Sequence, residues 1–198
     1  MRRKTIFLFN GPPGCGKDAA CAEIMRLDPE TIYAYYKEWL YEETAGLLDF
    51  TFEAWSKICQ DTELKDTPMF LQLEGKAATP RQILIHFAET LIKPEHGRDC
   101  FAAKMVERLK EKVKGLDHYT VVVPDVGFPE ELTLIRENFP DANIILVHIK
   151  RPGCSYVNDS RTYVGEPNVV LNNNSSFESF KETVGGLYLQ ENTYPFED

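Results

Sequence analysis

Thr5-Ile-Phe-Leu-Phe-Asn-Gly-Pro-Pro-Gly-Cys-Gly-Lys-Asp-Ala19 constrains this chain more than any other stretch: an apolar run enters a glycine-rich turn and leaves it as a helix. It matches the phosphate-loop pattern G-x-x-x-x-G-K-[ST] at Gly11, Gly16 and Lys17 and departs from it only at Asp18. Consecutive backbone N–H groups at a helix N-terminus form a concave anion site, and glycines let the backbone close around an oxygen. Pro12 and Pro13 have no N–H to donate. The cradle therefore falls to the amides of Gly14, Cys15, Gly16, Lys17 and Asp18, with the Lys17 ammonium reaching the outer phosphates. Ile6 to Phe9 suits a buried parallel strand, and Ala20, Ile24 and Leu27 continue near helical spacing. The rival reading, a strand-turn-helix whose glycines are purely structural, has no need of Lys17.

The chain has 198 residues, enough for one sizeable core, and a single domain is expected. With 43% hydrophobic and 27% charged residues the composition is globular, and a net charge of −9 excludes a broad basic surface for nucleic acid. An anionic nucleotide then needs a locally positive cleft. Cys15, Cys21, Cys59, Cys100 and Cys154 form no paired C-x-x-C spacing, which argues for a reducing compartment and against zinc. No apolar run approaches the roughly 20 residues that span a bilayer, and Met1-Arg-Arg-Lys4 leads into a strand too short for a signal-peptide core. A soluble, cytoplasmic protein with no nucleic-acid or membrane partner is expected.

Along the chain, Asp28-Pro29 stops the first helix and Thr31 to Tyr35 reads as a short strand. Tyr36 to Leu48 is an amphipathic helix, and Phe52, Trp55 and Ile58 suggest another within an otherwise irregular Phe50 to Ala78. Thr79 caps a helix with Pro80 at its first position, and Pro94 is expected to end it. A long helix follows from about Asp99 to Lys114, with Phe101, Met105, Val106, Leu109 and Val113 as its buried stripe. Tyr119 to Asp125, Ile144 to Ile149 and Val169 to Leu171 read as strands, Pro129 opens a helix to about Asn138, and Phe177 to Val184 forms the last one. Strands separated by helices imply parallel pairing through right-handed crossovers, hence a three-layer α/β fold of the P-loop NTPase kind with a mainly parallel central sheet. Ligands bind such sheets beyond the carboxyl ends of the strands, which brings Asp125 to the phosphate loop.

Asp125 ends an apolar strand where a P-loop protein places its metal-side acid, and Mg²⁺ suits it because that ion takes carboxylates while keeping several waters. A turn or cap aspartate ahead of Gly127 is the alternative. Asp18 replaces the hydroxyl that would touch the metal; a variant working site and a decayed one both fit a carboxylate there. Arg81 and Arg98 stand beside helix starts, suited to bidentate clamping of a substrate phosphate. Arg151 and Arg161 flank a loop-like stretch after the Ile144 to Ile149 strand, where cations on a lid would neutralise a transferring phosphoryl group. His86, His96, His118 and His148 lack metal-ligand spacing. The dense aromatics from Tyr33 to Phe70 read as a satellite core in preference to base stacking.

These stretches together resemble the phage deoxynucleoside monophosphate kinases. That family's phosphate loop reads G-K-D-T, similar to Gly16-Lys17-Asp18, although Ala19 stands in place of the threonine. Tyr35-Tyr-Lys-Glu-Trp-Leu40, Pro80-Arg-Gln82, Gly97-Arg-Asp99, Val123-Pro-Asp125 and His148-Ile-Lys-Arg-Pro-Gly153 resemble further family segments in the same order, and Leu171-Asn-Asn173 resembles its late strand-to-asparagine turn.

The resemblance implies a kinase domain with a helical acceptor-binding insertion over residues 31–98 and a lid-like segment over 151–167. It implies Lys37, Arg81, Arg98 and Asp99 on the acceptor side and Arg151, joined by Arg161, as catalytic cations with Lys17. ATP would be held by Gly11, Gly14, Cys15, Gly16, Lys17, Asp18 and Asn172, and Mg²⁺ by Asp18 and Asp125.

The expected reaction is transfer of the ATP γ-phosphoryl group to a (deoxy)nucleoside monophosphate, in the host cytoplasm if the chain is phage-encoded. The base, the sugar and the oligomeric state, a homodimer among the options, stay open. A kinase of another small phosphorylated metabolite and a nucleotide-binding protein without turnover are the alternatives.

Overall fold

The computed structural model describes residues 3–69, 71–157 and 159–192. Their elements are β1 (Lys4–Asn10), α1 (Lys17–Leu27), β2 (Ile32–Tyr33), α2 (Glu38–Leu47), α3 (Phe52–Gln60), β3 (Gln72–Leu73), β4 (Lys76–Ala77), α4 (Pro80–Phe87), α5 (Lys93–His96), α6 (Cys100–Val113), β5 (Tyr119–Val126), α7 (Pro129–Asn138), β6 (Asn143–Lys150), β7 (Val169–Asn172) and α8 (Phe177–Asn192). Two compact units are formed, residues 36–105 and the remainder, and the division falls inside α6.

The larger unit is an α/β layer structure around a five-stranded sheet of order β2-β5-β1-β6-β7, parallel throughout. β1 lies at its centre, with Phe7 opposite Val122 on one side and Ile145 on the other. That register sends Phe7, Phe9, Val122, Ile145, Val147 and Ile149 to one face, where they pack with Ala20, Cys21 and Ile24 of α1 and Phe180, Val184 and Leu187 of α8. Ile6, Leu8, Val121, Val123 and Leu146 alternate to the other face. The crossover β1-α1-β2 runs across the sheet in the opposite direction to β5-α7-β6, so right-handed connections put α1 and α7 on opposite faces. Both faces are covered, which is why these strands read as continuous apolar runs. Each fully buried Phe, Leu or Ile contributes about 1.5–3 kcal/mol, enough for the two layers to fix the loops at the carboxyl edge.

α8 extends eight residues beyond the expected end at Val184, through Gly185 and Gly186 to Asn192. Gly185 is where α8 meets α1: a Cβ there would already touch Leu27 at 3.4 Å. Close helix approach outweighs the intrinsic cost of glycine.

In the smaller unit Thr79 accepts from the amide of Gln82 and the Gln82 side chain accepts from the amide of Thr79, closing a capping box. Pro94 does not end this helix, contrary to expectation. Between α4 and α5, Ala88–Ile92 forms a π-helical turn in which the Lys93 amide donates to Ala88, five residues back. The widened turn accommodates a residue with no N–H, and the helix stops instead at Gly97, with φ 93°. Glu74 and Gly75, both at positive φ, turn the β3–β4 hairpin, which the irregular reading of this stretch did not contain. Trp55 is completely buried and donates to Thr44 Oγ1 at 2.6 Å, anchoring α3 on α2.

Candidate functional site: the phosphate loop and its surroundings

β1 ends at Asn10 and the chain turns through residues 11–16 into α1. Two glycines are required by space. A Cβ at Gly11 would lie 2.6 Å from Cys15 Sγ and 2.7 Å from the carbonyl oxygen of Ile149; at Gly16, with φ 112°, it would lie 2.7 Å from Asn173 Nδ2. Lys17, 8% exposed, turns back under the loop, its Nζ donating to the carbonyls of Gly11 at 2.6 Å and Pro12 at 2.9 Å. The loop thus carries a fixed cation on its inner side. The Cys15 amide donates to Pro12 at 3.3 Å and is engaged in the turn itself. Gly16 caps α1 without a side-chain acceptor, so the positive end of the helix dipole and the first-turn amides are offered to an anion.

Two side chains from distant strands brace this loop. Arg151, just after β6, donates from Nη1 to the Gly14 carbonyl at 3.0 Å, and Asn173 donates from Nδ2 to the Cys15 carbonyl at 2.9 Å. The Asn173 amide also donates to Lys150 at 2.7 Å. Asn172, the residue singled out from the sequence, is exposed at the end of β7 and lines a shallow cavity of about 280 Å³ with Lys150, Arg151, Pro152 and Asn174. Asn173, the next residue in the same turn, is the one that reaches the loop.

Asp18 is exposed in the first turn of α1 and Asp125 is half-buried near the end of β5. Burial, then the Cys21 thiol and these two carboxylates, push the Tyr33 hydroxyl up, and burial with the same two carboxylates raises the Cys21 thiol. Both carboxylates therefore act on one corner formed by α1, β2 and β5. No group of three His, Cys, Asp or Glu side chains suited to a metal occurs among the described residues. A pair of carboxylates beside a phosphate cradle fits Mg²⁺, which takes one or two carboxylates and completes its shell with water and phosphate oxygens.

Glu131 carries no expectation from the sequence beyond its place three residues into a helix start. It is buried, and Oε2 accepts from the amides of Gly127 at 2.7 Å and Phe128 at 3.0 Å, holding the turn that follows Asp125. Burial first, then the Asp125 charge, pushes its carboxyl up to about 8.

Asn10 is a second residue with no sequence signal. Its fully buried carboxamide donates to Val126 O at 2.8 Å, Tyr156 Oη at 2.9 Å and Thr162 O at 3.1 Å, and accepts from the Val164 amide at 2.9 Å. It fastens the ends of β1 and β5 to the segment that returns from β6. Tyr163 donates to Ile149 O at 2.9 Å, and His148 Nε2 meets Val164 O at 3.0 Å, with its ring 4.7 Å from that of Tyr163. Arg161 in this segment is held by Asp159 in a bidentate pair at 2.9 and 2.6 Å, its stem lying over Gly127 so closely that a Cβ there would be 2.6 Å from it.

The smaller unit carries the other expected residues. Lys37 caps α2 and is exposed; Arg81, in the first turn of α4, pairs with Asp66 through Nε at 2.6 Å and Nη2 at 3.0 Å. Arg98 and Asp99 are exposed between Gly97 and α6.

No protein-family model and no curated protein matches the chain. Solved structures do. TT1252 from Thermus thermophilus is 11% identical with a TM-score of 0.53, covering 97% of this chain and 100% of its own. The chain shares its α/β fold with that structure over nearly the whole of both chains. Also similar are the Cys556Ala mutant of the APS kinase CysC from Mycobacterium tuberculosis, 15% identical with a TM-score of 0.47 over 94% of this chain and 98% of that one, and dephospho-CoA kinase from Campylobacter jejuni, 13% identical with a TM-score of 0.46 over 96% and 98%. Within this α/β fold the glycine loop, Lys17 and Asp125 lie at the carboxyl edge of β1 and β5, where open α/β sheets take their ligands.

Proposed function

We propose that the chain transfers the γ-phosphoryl group of ATP to a (deoxy)nucleoside monophosphate, giving the diphosphate and ADP. The observation that carries this reading is the seat of Lys17: a buried ammonium held against the inside of a closed glycine loop, at the start of a helix whose amides face outward. A buried cation beside a helix N-terminus suits a chain of phosphates, whose oxygens would take the place of the Gly11 and Pro12 carbonyls that accept from it.

In the proposed reaction an oxygen of the acceptor phosphate attacks the γ-phosphorus in line, and the bond from that phosphorus to the β,γ-bridging oxygen breaks. The residues 11–18 hold the donor phosphates, and Lys17 follows the charge that moves to the bridging oxygen. Arg151 is already on the rim of the loop through Gly14 and has only to exchange that carbonyl for a phosphoryl oxygen. Arg161 contributes from the segment fixed by Asn10. Mg²⁺ held by Asp18 and Asp125 would neutralise the β- and γ-oxygens. Lys37, Arg81, Arg98 and Asp99 are assigned to the acceptor, with Arg81 exchanging its bidentate partner Asp66 for a phosphate. No general base is needed, since an ionised phosphate oxygen is already a nucleophile.

A product screen with Mg-ATP and the common ribo- and deoxynucleoside monophosphates, extended to other small phosphomonoesters, tests this. At least one nucleoside monophosphate should give its diphosphate, and Lys17→Ala and Asp125→Asn should abolish it with folding retained. Turnover confined to another phosphomonoester would replace the acceptor and keep the kinase. Nucleotide binding without any turnover would reject it.

A further inference from the structure

The five cysteines are free thiols, and two of them, Cys15 and Cys154, lie at or beside the phosphate loop. Cys15 belongs to the loop and is fully buried in the core beneath it, while Cys154, half-buried in the turn after β6, packs against the same core. Cys154 Sγ lies 3.7 Å from the place of a Cβ on Gly14, the residue that directly precedes Cys15. The turn carrying it is held to the loop by Arg151, whose Nη1 donates to Gly14 O at 3.0 Å and whose own carbonyl accepts from the Cys154 amide at 3.1 Å. Burial pushes the Cys15 thiol up, Lys17 pulls it back and Cys154 adds to the rise; burial and then both thiols raise the neighbouring Tyr163 hydroxyl. Gly14, Gly16 and Gly153, at φ 77°, 112° and 80°, flank the two cysteines and provide the backbone freedom that disulfide geometry demands.

We propose that Cys15 and Cys154 form a reversible intramolecular disulfide that fastens the phosphate loop to the Arg151 turn. The oxidant is a hydroperoxide. The accessible Cys154 sulfur attacks its O–O bond, taking one oxygen as a sulfenic acid and releasing an alcohol, or water from hydrogen peroxide. Cys15, its thiolate stabilised by Lys17 Nζ 3.9 Å away, then attacks the Cys154 sulfur; the S–S bond forms and the hydroxyl leaves as water. Two thiols lose two protons and two electrons, which the peroxide takes up as it is reduced. Excess dithiol reverses the step. The bond draws Cys15 away from its seat under Gly11, so the cradle loses its shape and its anion affinity. The effect on nucleotide rests on the phosphate-loop reading; the bond itself does not.

Hydrogen peroxide added to the purified full-length protein tests this. Two of the five thiols should disappear, and a peptide containing Cys15 should be found joined to one containing Cys154, two hydrogens lighter than the sum, with dithiothreitol separating them. Mg-ADP affinity by calorimetry should fall at least tenfold on oxidation and return with dithiothreitol, while Cys154→Ser should bind Mg-ADP normally and be indifferent to peroxide. A cross-link through Cys21, Cys59 or Cys100, an intermolecular bond, or Cys154 over-oxidised with Cys15 still reduced overturns the proposal. Because the cross-link is read by mass, its failure is distinguishable from a failure of nucleotide binding.

Discussion

Asn173 Nδ2 donates to the carbonyl of Cys15 at 2.9 Å, and the same nitrogen stands where a side chain on Gly16 would have to go. One polar group from the turn after β7 therefore fixes both the shape and the composition of the phosphate loop. Asn173→Ala should weaken Mg-ATP binding by roughly fivefold to tenfold, about the worth of one hydrogen bond that orients a binding loop. Asn173→Asp should be worse, since it removes the donor and sets a carboxylate beside the bound phosphates. Isothermal calorimetry distinguishes the two.

Asn10 ties three chain segments through one buried carboxamide. Asn10→Ala should destabilise the protein by roughly 2–4 kcal/mol, because several buried backbone groups lose their partner at once. Tyr156→Phe, which removes only the hydroxyl that Asn10 meets, should cost about 1 kcal/mol or less. Urea unfolding of both variants checks the ratio.

Much of this frame is legible in the sequence. The apolar runs of β1, β5 and β6 are continuous because helices cover both faces of the sheet, and the phosphate loop announces itself through glycines that space requires at Gly11 and Gly16, the latter also at positive φ. Asn10 and Glu131 are not legible in the same way, and Asn173 is legible only as part of the turn after Leu171. Each is an ordinary polar residue locally, and Asn10 and Asn173 have decisive partners more than a hundred residues distant in sequence. Pro94 and the helix end expected at Val184 mislead for a related reason. A π turn and a helix contact, both matters of surroundings, overrule what proline and glycine do on their own.

Glu131 should make stability depend on pH. Its carboxyl ionises near the ordinary value of 4.5 when unfolded and at about 8 in the fold, so its contribution is complete below the unfolded value and is lost as pH rises through the folded one. Between pH 5 and 8, without added divalent metal, the wild-type protein should lose on the order of a few kcal/mol that Glu131→Gln does not lose. Thermal melts across that window, compared pairwise, give the difference. Parallel pH profiles for the two proteins would count against the assignment.

Arg151 on Gly14 and Arg161 on Asp159 are held differently, and their substitutions should separate. Arg151→Ala should leave folding intact and lower kcat by about 100-fold or more, as loss of a transition-state cation does. Arg161→Ala should lower stability as well, by roughly 1–3 kcal/mol, because it removes the bidentate cation from a largely buried Asp159 carboxylate. Steady-state kinetics with melting curves resolve the two.

The central claim is that Lys17 and its loop serve phosphoryl transfer to a nucleotide. ATP labelled in its γ-phosphate, incubated with the protein, Mg²⁺ and a mixture of deoxynucleoside monophosphates, tests it most directly when the products are separated by charge. The expected result is label in a nucleoside diphosphate, abolished by Lys17→Ala; label in inorganic phosphate alone, or a diphosphate that survives Lys17→Ala, would contradict it.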